Sequence, residues 1–154
     1  MTTLGKPKPV NEHKTRKGVQ SQLEDAIREL VWWRDSGICI EAATDGGRCG
    51  GGNQWGHFIS RHNSPWLAFT ISTFVQCRNH NGIHAHDTTP MTIAINKLLG
   101  PEWIESMYAT QRQYVHIKPN KDDLKCRLEV YRMLLAHRPS IYTVAELLAG
   151  GYYG

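Results

Sequence analysis

Between Cys39 and His86 the chain gathers three of its four cysteines and five of its eight histidines, among an unusual density of glycine. Two lines carry most of them, GHFISR at 56–61 and CRNHNGIHAHD at 77–87. Thiolate and imidazole at close spacing around glycine turns are the ligand types that zinc selects. A histidine just ahead of a strand-like run is also where a hydrolase would hold a general base, because imidazole titrates near neutral pH. One segment thus offers two chemistries, a structural metal and an active site.

For the metal, Cys39 and Cys49 precede GHF, and Cys77 with His80 makes a C-x-x-H pair after it, so two half-sites bracket the histidine motif. Four ligands sum to a tetrahedral site. The second pair has knuckle spacing, whereas the nine residues between Cys39 and Cys49 exceed the usual two to four. The alternative is a site that uses only some of these ligands, with Cys39 an apolar loop residue. Cys126 falls off the buried stripe of its helix, has no ligand type nearby, and is left out of the set.

The elements that must position these residues are legible around them. Leu23, Ile27, Leu30 and Val31 recur at i, i+4, i+7 and i+8 and predict an amphipathic helix that Gly37 stops. Trp32 and Trp33 at its end read as packing residues closing a small core. From Gly37 to Phe58 the glycines predict a loop or zinc-held knuckle with little regular structure. Residues 67–76, LAFTISTFVQ, are β-branched and aromatic and predict a strand. Pro90 suits the first turn of a helix through about Leu99, and Gly100 and Pro101 separate it from a second helix to about Gln111. Asn120 can cap a third, with Asp122 and Asp123 in its first turn and Leu124, Leu128, Tyr131 and Leu135 as its buried stripe. A short apolar helix with Val144, Leu147 and Leu148 follows Pro139.

With 154 residues and 40% hydrophobic content, the chain can bury one modest core. The expected organisation is a flexible basic arm over 1–19, a zinc-containing domain over 20–138 and a short C-terminal helix and tail over 139–154. No apolar run approaches the length of a bilayer span, and the polar, basic N-terminus lacks a signal-peptide core, so a cytoplasmic protein without a membrane partner is expected. A reducing compartment favours metal ligation over disulfides for the cysteines. The formal charge of +4 is a mild excess that permits a phosphate-rich partner without demanding one. It is concentrated at Lys6, Lys8, Lys14, Arg16 and Lys17, which read either as a tether to nucleic acid or as a solvated tail.

The order of C…CGG…GHFISR, strand, QCRNHN and helices resembles the NinG/Rap group of phage recombination endonucleases, a zinc-containing branch of the HNH (His-Me finger) nucleases. The resemblance runs from about Leu23 to about His137 and takes in the LLGPEWIESM and DDLKCRLEVYRMLL stretches. His80 stands where that family usually has a fourth cysteine. The resemblance implies an α+β fold: a small zinc-stabilised ββα-metal core, with a hairpin ending in the histidine and a short helix beside the second zinc half-site, flanked by an N-terminal helix and C-terminal helices. It implies His57 as general base activating water against a DNA phosphodiester, Asn81 as a ligand of a catalytic Mg2+ or Mn2+, and His84 sharing that ion or contacting the phosphate. Cys39, Cys49, Cys77 and His80 would hold the structural Zn2+. Arg61 and Arg78 are placed to hold phosphates. The implied partner is branched or otherwise recombination-linked DNA in a host-cell cytoplasm, and symmetric cleavage of a junction would favour a homodimer.

The departures from the family pattern fall on the catalytic side. Ser72 stands where an asparagine normally orients the histidine, with Asn63 as a substitute from the loop. Gln54 and Trp55 replace the acidic residue before GHF, and Ala68 and Thr70 replace an arginine and an aspartate in the strand. Two other readings therefore stand beside the nuclease: a catalytically silent, zinc-stabilised DNA-binding protein, and a regulator whose aromatic and helical surface contacts another protein.

Overall fold

The computed structural model describes residues 16–59 and 72–137. They form an α+β arrangement of six helices and a two-stranded sheet: α1 Arg16–Arg34, α2 Ala42–Asp45, a 3-10 turn Gly46–Arg48, β1 Asn53–His57, β2 Thr73–Cys77, α3 Arg78–His84, α4 Thr89–Leu99, α5 Pro101–Tyr114 and α6 Lys121–His137. Lys14, Arg61, Asn63, the first part of the expected strand and the expected helix after Pro139 lie outside the described residues.

The α1 stripe is buried as its spacing predicts, and Val19 extends it one turn upstream. Residues 16–19, assigned above to the basic arm, are therefore the first turn of α1. Arg16 and Lys17 offer no obstacle to a helix, and burying Val19 rewards the extra turn. This stripe packs against Leu124, Leu128 and Tyr131 of α6 and Val75 of β2, with Trp32, Trp33 and Leu135 partly buried at the margin. The start of α6 is fixed by a reciprocal cap: Asp123 N–H donates to Asn120 Oδ1 and Asn120 N–H to Asp123 Oδ2, both at 2.9 Å.

Phe74 turns the other way, into a second cluster with Ile59, Met91, Ile95 and Met107 from the β1 end, α4 and α5. β2 is thus buried on both faces, its polar Thr73 and Gln76 included. Between Gly37 and Phe58, however, the expected irregular loop contains α2, the 3-10 turn and β1. β1 reads NQWGH, which has little strand propensity of its own. Antiparallel pairing with β2 makes it a strand, with Trp55 opposite Val75, Gly56 opposite Phe74 and His57 opposite Thr73. Gly56 is required for that approach, because a Cβ there would stand 2.9 Å from the Gln76 Cβ and collide with its amide oxygen.

The far edge of β2 is closed by the segment after α1. Gly37 (φ +66°) ends that helix with its N–H on Trp32 O at 2.9 Å. Ile40 N–H then donates to Val75 O at 2.9 Å, and the Asp35 carboxylate accepts from Val75 N–H at 2.8 Å. Arg34 grips the same carboxylate through Nε at 2.6 Å and Nη2 at 3.0 Å, and also donates to Thr73 O at 2.7 Å. The ion pair is nearly sealed from solvent, its side chains 4% and 7% exposed. No helix among the described residues is long and apolar enough to cross a membrane.

Candidate metal centre and the adjoining His57 depression

Four ligand residues converge from two distant stretches of chain. Cys39 lies between α1 and α2, and Cys49 caps the 3-10 turn, its N–H on Gly46 O at 3.1 Å. Cys77 ends β2 and is the N-cap of α3, its thiol accepting from His80 N–H at 3.4 Å. His80 follows in the first turn of α3, fully buried. Its Nδ1 lies 3.6 Å from the Cys39 sulfur, 3.6 Å from that of Cys49 and 3.2 Å from that of Cys77. All four ligand atoms fall within 4.8 Å of one another.

A tetrahedral ion with metal–sulfur bonds of about 2.3 Å needs ligand atoms roughly 3.5 to 3.8 Å apart, close to these spacings. The Cys3His group can therefore hold a metal ion such as zinc, and three thiolates with one imidazole disfavour hard cations such as magnesium. The nine-residue separation of Cys39 and Cys49 is absorbed by α2 and the 3-10 turn, which fold the intervening chain back on itself.

The electrostatics of the cluster are uneven. Burial pushes the Cys39 thiol up to about 12. Burial also opposes the Cys77 thiolate, but the N–H groups of His80 and Gly50 more than offset it and bring that thiol down to about 7. Cys77 is thus the readiest thiolate, and a bound metal would deprotonate the others. For His80, burial disfavours the imidazolium, yet the hydrogen bond to Asp45 and the charges of Glu41 and Cys77 together raise its pKa.

Asp45 is the residue that motif reasoning missed. Its Oδ2 lies 3.3 Å from His80 Nε2, and Arg48 Nε approaches the same oxygen at 3.4 Å. An acceptor on Nε2 keeps the proton there and leaves Nδ1 to face the sulfurs, the usual way a carboxylate orients a ligating histidine. No sequence spacing signals this, because Asp45 is brought to His80 only by the turn that carries Cys49. Asp45→Ala is expected to weaken metal affinity roughly 10- to 100-fold in competition with a chromophoric chelator. Glu41 is a second unanticipated neighbour, fully buried, with Oε2 accepting from Gln76 Nε2 at 2.8 Å and 3.8 Å from the Cys39 thiol.

Beside this cluster an open depression is lined by Arg28 and Trp32 of α1, Gln54, Trp55 and His57 of β1, and Asn81 of α3. His57 and Asn81 are thus brought to one surface. The His57 ring stacks against Trp55, centroids 4.3 Å apart and planes tilted by 51°. Asn81 Nδ2 donates to Gln54 Oε1 at 3.0 Å, which leaves Oδ1 as the amide's acceptor. His84 lies one turn further along α3, its ring 6.0 Å from that of Phe58 and its Nδ1 buried without a hydrogen-bond partner among the described residues.

Ser72 is buried, and its carbonyl accepts from Phe58 N–H at 2.8 Å. The residue directly across from His57 is Thr73, fully buried, and Ser72 immediately precedes β2. Arg78 is exposed at the start of α3 and borders a separate groove with Arg48 and His86. Lys17 is exposed on α1, and Cys126 is exposed on α6. Comparison with family models, curated proteins and solved structures finds no match to this chain.

Proposed function

We propose that the protein is a zinc-stabilised, metal-dependent DNA endonuclease of the His-Me finger type, branched DNA being the substrate class its motifs suggest. The observation that carries this reading is the meeting of His57 and Asn81 in one open depression, delivered by a strand–strand–helix unit that is anchored at its Cys77–His80 turn to the Cys3His group.

In this reading zinc is structural. It ties the stretch after α1 to the β2–α3 junction and so fixes α3 relative to β1. His57 accepts the proton of the attacking water, and Trp55 restrains its ring. Asn81 Oδ1 would be an oxygen donor to a catalytic Mg2+ or Mn2+, and His84 Nδ1, a buried nitrogen lacking a partner among the described residues and lying outside the depression's lining, would be the second donor this reading calls for. Such an ion, when bound, polarises the phosphoryl oxygen and stabilises the leaving 3′-oxygen. The donor set is neutral and no carboxylate lines the depression among the described residues, so the DNA phosphate itself would supply the anionic ligands.

The amide Gln54 and the indole Trp55, standing where the family pattern has an acidic residue, favour the second reading, a zinc-stabilised DNA-binding protein without catalysis. The deciding experiment incubates the zinc-loaded protein with a four-way junction and a linear duplex in magnesium or manganese. Nicking that falls by about 10²-fold or more in His57→Ala supports the nuclease. Binding without nicking, identical in His57→Ala, supports the silent module.

A further inference from the structure

Among the described residues that line the depression holding His57 and Asn81, the one formal cation is Arg28, and it comes from α1 rather than from the hairpin or α3. The Arg28 Cζ lies 5.3 Å from the centroid of the Trp55 ring, and Trp55 in turn stacks against His57 at 4.3 Å. Guanidinium and imidazole thus both pack against the same indole. Trp55 links the guanidinium to the imidazole by contact with both.

Arg28 also pairs with Asp25 at 3.6 Å, but those side chains are 50% and 68% exposed and three residues apart on α1. An exposed pair of this kind contributes little and is readily screened, so it does not commit the guanidinium. Stacking on an aromatic ring leaves the edge of a guanidinium open to donate, and its planar fork matches two phosphate oxygens. Every other described lining side chain is an amide, an aromatic ring or an imidazole, so an anion entering the depression meets its compensating charge at Arg28.

We propose that Arg28 is the phosphate-binding residue of this depression, gripping the DNA backbone at the phosphodiester that lies against His57, with Trp55 in contact with both cation and imidazole. This assignment rests on the DNA-directed reading above and deepens it. It makes α1 part of the substrate site.

The test uses the zinc-loaded full chain and a fluorescein-labelled junction, with anisotropy followed over a salt series in the absence of magnesium, and nicking measured separately in its presence. Arg28→Gln is expected to bind about tenfold more weakly at low salt, with the slope of log K against log salt reduced by about 0.9, the value of one phosphate contact. Zinc content and melting temperature should match the parent. Arg28→Lys should restore the salt slope while nicking stays several-fold slow, because an ammonium replaces the charge but not the fork. An unchanged affinity and slope in Arg28→Gln would overturn the assignment, as would a loss that Arg28→Lys shares in full together with a lowered melting temperature. Arg28-dependent binding with nicking absent sinks hydrolysis and keeps the phosphate site. Nicking that needs His57 and ignores Arg28 does the reverse, and no DNA binding at low salt removes both.

Discussion

Chelation of the metal is expected to unfold the segment from Cys39 to His84 while leaving the α1–α6 pair helical. The reason is the shortness of the elements among the described residues of that segment. α2 has four residues, α3 seven, and each strand five. Helices this short fall well below the length at which propensity sustains them, and a two-stranded hairpin is marginal alone. Burying Cys39, Cys77 and His80 side by side without a metal gains little, since burial drives the Cys39 thiol towards its protonated form and the imidazole faces three sulfurs instead of a metal. A structural zinc supplies binding free energy on the order of 10 kcal/mol or more, all of it available to folding. Elemental analysis should give one zinc per chain. Chelator should abolish the near-ultraviolet signal of Trp55 and most hydrogen-exchange protection in β2, and neither Cys77→Ala nor His80→Ala should retain metal. A metal-free protein whose melting is indifferent to chelator would refute the centre.

The second large effect is expected at Asp35, which is neither a metal ligand nor a lining residue of the His57 depression. Asp35→Ala should cost about 3 to 5 kcal/mol in chemical denaturation of the zinc-loaded protein. The substitution strands the Arg34 guanidinium at 4% exposure without its carboxylate and removes the acceptor of Val75 N–H on the outer edge of β2. Asp35→Asn separates the two contributions, since it can still accept from Val75 but no longer carries charge. It should recover only the smaller, neutral hydrogen-bond part, about 1 kcal/mol. A loss below about 1 kcal/mol for Asp35→Ala would show that the pair does not close the sheet edge.

These two predictions differ in how visible their residues are in the sequence. The Cys/His set announces itself by residue type, because few other roles call for three cysteines and a histidine around glycine turns in one short stretch. Arg34 and Asp35 look like an ordinary polar end of an amphipathic helix. Their burial depends on β2 arriving from some forty residues away to receive Arg34 on the Thr73 carbonyl and Asp35 on the Val75 amide. Asp45 is hidden for the same reason. A carboxylate in a glycine-rich turn has no periodicity, and its partner His80 is 35 residues distant. The spelling NQWGH does not mark β1 as a strand either; the family resemblance alone implied a hairpin ending in the histidine, and the strand exists through its register with β2.

Where local chemistry repeats at a fixed period, the sequence alone determined the outcome. The buried stripes of α1 and α6, the proline starts of α4 and α5, the Asn120 cap and the membership of the Cys3His group follow from side chains whose burial or bonding is decided within a turn or two of helix, or by ligand type. Tertiary structure decided everything that depends on distant segments meeting. It set which nitrogen of His80 faces the sulfurs, through Asp45. It set Thr73, and not Ser72, directly across from His57, and it brought Arg28 of α1 over Trp55 into the depression shared by His57 and Asn81. Strand register and helix packing are long-range choices, made by the competition of whole surfaces for burial, and no short window of residues records them.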